Sequence, residues 1–131
     1  MKKDIKIPEA KGVCIAIVLE KHPEYETNDW YAYLINNTNK PIEMGIVVSK
    51  GFTKDKVTAT FRHKVDLLPA KGYAKVEFIE KKLLSVNNQF SITYFQDNVL
   101  FEKTFLFKPH AIAPSHRVQL PVMNKTGILA E

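Results

Sequence analysis

Five side chains in this sequence suit metal or nucleophile chemistry: Cys14 and the histidines His22, His63, His110 and His116. Zinc needs ligands at short, fixed spacings that enclose a small cation. No two of these histidines stand four apart, and His110 and His116, six apart beside Pro109 and Pro114, meet only if their loop folds back. Nucleophilic catalysis needs Ser or Cys raised on a sharp turn beside a base. There is no G-x-S-x-G, and Cys14 lies inside the apolar run Val13 to Leu19, the setting of a small buried hydrophobe. Ser115 and His116 are neighbours in sequence, which does not aim one side chain at the other. Glu24 and Glu26 share a polar loop with His22 and Asp29, without the cleft that raises one carboxyl of a glycosidase pair. The five glycines, Gly12, Gly45, Gly51, Gly72 and Gly127, are isolated, so no phosphate-cradling loop is expected. The sequence therefore predicts no enzyme, no metal and no other cofactor. A pocket lined by His63, His116 or Tyr94 is the arrangement that would restore an enzyme or carrier reading.

The elements that would position these groups read as strands. Between Lys54 and Lys64 the even positions Lys54, Lys56, Thr58, Thr60, Arg62 and Lys64 are polar, while Val57, Ala59 and Phe61 alternate with them. That period of two is a half-buried strand, with His63 on the core parity at its end. In Gly72 to Ile79, Ala74, Val76 and Phe78 alternate with Tyr73, Lys75 and Glu77. Phe90, Ile92 and Tyr94 repeat the pattern, as do Phe101, Phe105 and Phe107, and Asp97-Asn98 between those runs fits a tight hairpin. Val13 to Leu19 and Trp30 to Ile35 are apolar on both parities and predict strands covered on both faces. The dense turn cluster Asn36 to Pro41 leads to a strand in which Ile42, Met44, Ile46 and Val48 share a face, ended by Gly51. Good helix formers at Glu80 to Leu84 predict one or two helical turns before Asn87-Asn88, crossing from one sheet to the other.

Seven strand candidates spaced about 10–16 residues apart, with no long helix, predict an all-β fold. The expected architecture is an antiparallel two-sheet sandwich of immunoglobulin-like type, with a small barrel as second choice. A disulfide scaffold is excluded, because Cys14 has no partner. The chain divides into a β-sandwich domain over residues 1–108 and an extended C-terminal tail over 109–131. Pro109, Pro114 and Pro121 interrupt that tail, yet Val118, Leu120, Val122, Met123, Ile128 and Leu129 require it to pack on its own domain or on a neighbouring subunit. The whole chain has 131 residues, 45% apolar and 25% charged, which is globular composition. The start Met1-Lys2-Lys3 runs into Asp4, Lys6 and Pro8 without the apolar stretch of a secretory signal, and no run approaches the length that spans a bilayer. A cytoplasmic protein without membrane contact is expected.

Two surfaces carry the functional expectation. If Trp30, Ala32 and Leu34 face the core, Tyr31, Tyr33 and Ile35 form an outer patch of the kind used in recognition, unless the tail covers it. With Leu120, Val122 and Met123 of the tail they make a candidate protein interface, and two chains exchanging or stacking tails as a homodimer would satisfy both arrangements. The second surface is basic: Lys50, Lys54, Lys56, Arg62 and Lys64, in a chain of formal charge +5. Such a row would bind phosphates in a salt-sensitive way, or it would protect an edge strand from foreign pairing. The absence of interleaved aromatics favours edge protection over nucleic acid.

Lys6-Ile7-Pro8-Glu9-Ala10-Lys11-Gly12-Val13 and Trp30-Tyr31-Ala32-Tyr33-Leu34-Ile35-Asn36, with Leu68-Pro69-Ala70-Lys71, are similar to stretches of a group of short uncharacterised bacterial all-β proteins. They also resemble the all-β region that accompanies the Smr nuclease domain in some bacterial MutS/Smr-type proteins. No histidine here is followed by glycine, so the Smr motif has no counterpart and its nuclease activity is not carried over. The resemblance implies a companion β module. The expected function is a non-enzymatic protein-interaction or structural module that self-associates, with an accessory nucleic-acid-binding domain as the alternative.

Overall fold

Alternation of apolar and polar residues is realised as two packed antiparallel sheets in the computed structural model, which describes residues 7–130. The start Met1 to Lys6, on which the leader reading rests, lies outside the described residues. In chain order the strands are β1 (Val13–Lys21), β2 (Asn28–Asn36), β3 (Ile42–Phe52), β4 (Val57–Leu68), β5 (Tyr73–Ile79), β6 (Asn87–Gln96), β7 (Val99–Phe107), β8 (Val118–Gln119) and β9 (Thr126–Leu129). One sheet has the order β5-β2-β1-β9-β8 and the other β4-β3-β6-β7. A single-residue parallel bridge joins Glu9 to Glu102 on β7. The fold is all-β, and the described residues form nine strands and this bridge rather than seven strands. The additional strands β8 and β9 come from the tail, where Val118–Gln119 and Thr126–Leu129 lie clear of the prolines that break the ladder elsewhere.

The core lies between the sheets. Val13, Ile15 and Ile17 of β1 and Trp30, Ala32 and Leu34 of β2 meet Val47 of β3, Phe90, Ile92 and Tyr94 of β6, and Phe105 and Phe107 of β7. Phe107 meets Phe90 edge-on at 5.9 Å, and Tyr94 stacks on Phe101 at 5.5 Å. The β6–β7 hairpin turns on Asp97 and Asn98, both at positive φ, as the favoured two-residue hairpin turn requires. A 3-10 turn at Lys81–Ser85 carries the chain from β5 to β6 and sets Leu83 into the core.

Two expected faces are reversed by bulges. In β3, Met44 stands at φ 52° and the register against β6 shifts between Glu43 and Ile46. Beyond that point Gly45, Val47 and Ser49 are buried, while Ile46 and Val48 are only half-buried and Met44 is 65% exposed. In β5 the register against β2 shifts between Ala32 and Tyr33, which leaves Val76 as the extra residue. Ala74 and Val76 pack on the core as expected, but Glu77 then follows Val76 inward and Phe78 is left 48% exposed. A third departure has a different cause. Phe61 carries the core parity of β4 yet is 49% exposed, because β4 and the facing β5 both end their sheets, while Val57 lies beyond a further bulge that separates it from Thr60 and is exposed as well. The side chain of Ala59 is outside the described residues.

One end of the sandwich is pinned by Asn36, fully buried at the end of β2. Its Nδ2 donates to the carbonyls of Lys40, Pro69 and Leu68 at 2.9, 3.0 and 3.3 Å, and its Oδ1 accepts from the amide and hydroxyl of Thr38. The β2–β3 and β4–β5 connections, which both cross between sheets, are thereby tied together. Buried carbonyls left without a donor cost free energy. Asn36→Ala is therefore expected to lower stability by about 2–4 kcal/mol in urea unfolding; a loss below about 0.5 kcal/mol would show that the crossing turns hold without it.

Candidate functional site

Strand alternation sends Tyr31, Tyr33 and Ile35 of β2, with Ala16 and Val18 of β1, to the face away from the inter-sheet core. The tail returns over this face. Ile112 and Ile128 enter the main core, β9 pairs Ile128 with Ile17 and Leu129 with Ala16, and the loop before β9 lays Leu120 and Met123 across the two tyrosines. Gly127 makes this close approach possible, since a Cβ there would lie 2.7 Å from the Ile17 carbonyl oxygen. The six residues expected to form a protein interface, Tyr31, Tyr33, Ile35, Leu120, Val122 and Met123, are thus brought together within one chain. All but the half-buried Val122 are buried, because the chain's own tail covers the patch. They offer no free surface while the tail is seated.

A charged cluster fixes that seat. Glu20 Oε2 accepts from Tyr33 Oη at 2.7 Å and from Lys125 Nζ, on the β8–β9 loop, at 2.8 Å. Lys75 Nζ of β5 stands 3.0 Å from Glu20 Oε1 and 4.1 Å from the centre of the Tyr31 ring. Burial alone would raise the Glu20 carboxyl, but hydrogen bonds from Lys125, Tyr33 and Lys75 outweigh it and hold the group below the ordinary carboxylate range. Burial and the Glu20 charge push the Tyr33 hydroxyl upward. Beside this cluster Tyr73 and Phe78 are half exposed, 6.0 Å from Tyr33 and 5.6 Å from Tyr31. Sequence periodicity assigned Phe78 to the core, and only the bulge at Val76 reveals it as surface.

On the open β4–β5 side, Glu77 Oε1 lies 2.7 Å from His63 Nε2 and accepts the Ser49 hydroxyl. Hydrolytic triads place the imidazole between serine and carboxylate, so that it takes the serine proton. Here the carboxylate is central, and the arrangement joins β5 of one sheet to β3 and β4 of the other. The adjoining cavity, about 70 Å³, is lined by Ser49, Thr58, Phe61, Glu77 and Asn88 and has room for a few waters. The groups that would make a shared pocket do not converge. His116, its Nδ1 2.9 Å from the Ala111 carbonyl, lines a separate cavity beside β7 and β9, and Tyr94 is buried, its hydroxyl pushed up to about 12. His22 accepts the Glu24 and Tyr25 amides with Nδ1 and so shapes its own loop. Burial pushes the Cys14 thiol up to about 11, against the opposing Lys103 charge. Among the described residues no group of three or more His, Cys, Asp or Glu could hold a metal ion.

The basic set divides. Lys50, Arg62 and Lys64 lie on β3 and β4, Arg62 opposite Val48 and Lys64 opposite Ile46 on the outer face. Lys54 and Lys56 instead sit in the turn closed by the Thr53 amide and the Lys56 carbonyl, so of the four cations expected on one strand face, Lys54, Lys56, Arg62 and Lys64, only Arg62 and Lys64 lie on β4. Lys64 is 3.9 Å from Asp66, and Lys50 lies over the Phe52 ring. Among the described residues Lys50, Lys54, Lys56 and Arg62 form no ion pair.

No family model matches the chain, and no curated protein matches it.

The Glu20 cluster generates a pH-dependent expectation. A carboxyl held low in the folded state stabilises it above the ordinary value of about 4.3, and this contribution fades as pH falls through the lower folded value. Glu20→Gln should reduce stability by about 1–3 kcal/mol at neutral pH and flatten its acid dependence. Hydrogen exchange should quicken across 120–129, where the tail is held; unchanged exchange there would show that Leu120 and Met123 suffice.

Proposed function

We propose that this chain is a non-enzymatic protein-interaction module of immunoglobulin-like type, acting in the cytoplasm as a companion to other domains. The strand order supports the immunoglobulin-like assignment: three crossings between sheets place β1, β2 and β5 against β3, β4, β6 and β7. No helix among the described residues is long and apolar enough to cross a membrane.

The observation that carries the reading is the side formed by β4 and β5. Two sheet edges lie together there, and Val57, Phe61, Leu67, Tyr73 and Phe78 are exposed on them. Unpaired backbone beside exposed large apolar side chains is the raw material of strand addition and aromatic-anchored binding. Self-association belongs to the same proposal through exchange of tails, since Leu120 and Met123 of one chain fit the Tyr31–Tyr33–Ile35 face of another. Light scattering that finds a clean monomer at high concentration removes that part.

Peptides selected from a random library on the full chain test the binding side. They are expected to slow hydrogen exchange in Val57–Leu68 and Tyr73–Ile79, and Leu67→Ser with Phe78→Ser should weaken them about tenfold or more. Binders that act elsewhere, or variants that bind unchanged, contradict the reading. The alternative, nucleic-acid binding, draws support from Lys50, Lys54, Lys56 and Arg62, which form no ion pair among the described residues. It expects oligonucleotide affinity that falls steeply with salt and is lost on charge reversal at Arg62 and Lys64. No binding at low salt removes it.

A further inference from the structure

Two open sheets present four edges among the described residues, and three of them are short, partly engaged or interrupted at mid-strand. β8 has two residues. β7 is engaged at Glu102, whose carbonyl accepts the Ala10 amide and whose amide donates to the Pro8 carbonyl. β5 has the bulge at Val76, which breaks the regular spacing of a ladder. β4 remains: it has its own bulge between Val57 and Thr60, but the nine residues from Thr60 to Leu68 are in regular register with β3 at the sheet's edge and include no proline. At about 3.3 Å per residue this stretch is an edge of roughly 30 Å.

The charges along this edge have one sign in excess. On β4 itself Arg62 and Lys64 outnumber Asp66, in the turn that leads into it Lys54 and Lys56 outnumber Asp55, and Lys50 on β3 stands across from Thr60. Edge cations repel uninvited strands, chiefly through the cost of bringing like charges or uncharged backbone against them. The same cations attract a strand with carboxylates at matching positions. On the inner side of β4, Phe61 remains half exposed and His63 and Val65 are only partly covered, so an added strand would also bury apolar surface.

We propose that β4 is the docking edge for an extended acidic segment of another protein, which adds to the sheet with apolar and acidic residues in alternation. This rests on the interaction-module reading above and names the partner of that side. Alternation follows from the strand's two faces: one row of added side chains lies beside Thr60, Arg62 and Lys64, the other beside Phe61 and Val65. A second copy of this chain fits poorly. Pairing β4 along its whole length with a two-fold mate sets Arg62 opposite Arg62 or Lys64, like charge against like. Nucleic acid would use the cations but leave Phe61 and Leu67 unburied, and no exposed aromatic lies among the cations of the outer face for bases to stack on.

The test uses the full chain and two peptides of about nine residues, one alternating valine with glutamate and the other valine with lysine. At about 50 mM salt the acidic peptide should bind about tenfold or more tighter than the basic one, weaken as salt rises, and slow exchange of the β4 amides. Arg62→Glu with Lys64→Glu should invert the preference. Equal binding of both peptides at β4 overturns the acidic partner while leaving the interaction side intact. Binding of neither at β4 overturns the proposal; if library-selected peptides also avoid β4 and β5, the interaction reading falls with it. β4 amides already protected at high concentration without peptide would assign the edge to a second copy and overturn the proposal equally.

Discussion

Every strand that ends a sheet has backbone donors and acceptors on one side with no ladder to satisfy them, and how a chain answers that constraint decides its surface. This chain answers it four ways. The tail extends one sheet beyond β1 through β9 and β8, residues 8–10 bridge β7, and a bulge disrupts β5. Only β4 keeps a long regular stretch, Thr60 to Leu68, defended by charge beyond the bulge at its start. The exposed apolar side chains of β4 and β5 and the open gap between the sheets follow from this one choice.

The opposite flank shows what full coverage looks like. β1 and β2 are buried on both faces, by the second sheet on one and by Leu120 and Met123 on the other. Tyr31 and Tyr33 are suited to recognition by chemistry but are committed to holding the tail, through the Glu20 carboxylate that gathers Tyr33, Lys75 and Lys125. Glu77, with His63 and Ser49, does corresponding work on the open flank, where one hydrogen-bonded carboxylate joins the two sheets in place of a covering segment. Both carboxylates are engaged by neighbouring side chains, which explains their burial without invoking catalysis.

The sequence was legible where a strand runs without interruption. Phe90, Ile92, Tyr94, Phe105 and Phe107 all lie in the core that their alternation indicates, and Asp97-Asn98 makes the hairpin. It was misleading where one extra residue enters a strand. A period of two carries no mark for an inserted residue, so Met44, Ile46, Val48, Glu77 and Phe78 were assigned to the wrong faces downstream of two bulges. Position in the sheet was equally hidden. Phe61 has a core residue's parity, but burial depends on whether a further strand faces it, and that is a property of strand order. The fate of the Tyr31 patch turned on a tail whose contacts lie about ninety residues away in sequence, beyond the reach of local pattern.

Amide hydrogen exchange of the free chain, resolved residue by residue along Val57–Leu68, tests the open edge most directly. In an antiparallel edge strand alternate amides point to the neighbour or to water. An uncovered β4 predicts alternating slow and fast exchange along the strand, unchanged by protein concentration. Uniform protection of all these amides would mean that the edge is already covered, and the account of this surface as a free docking strand would be wrong.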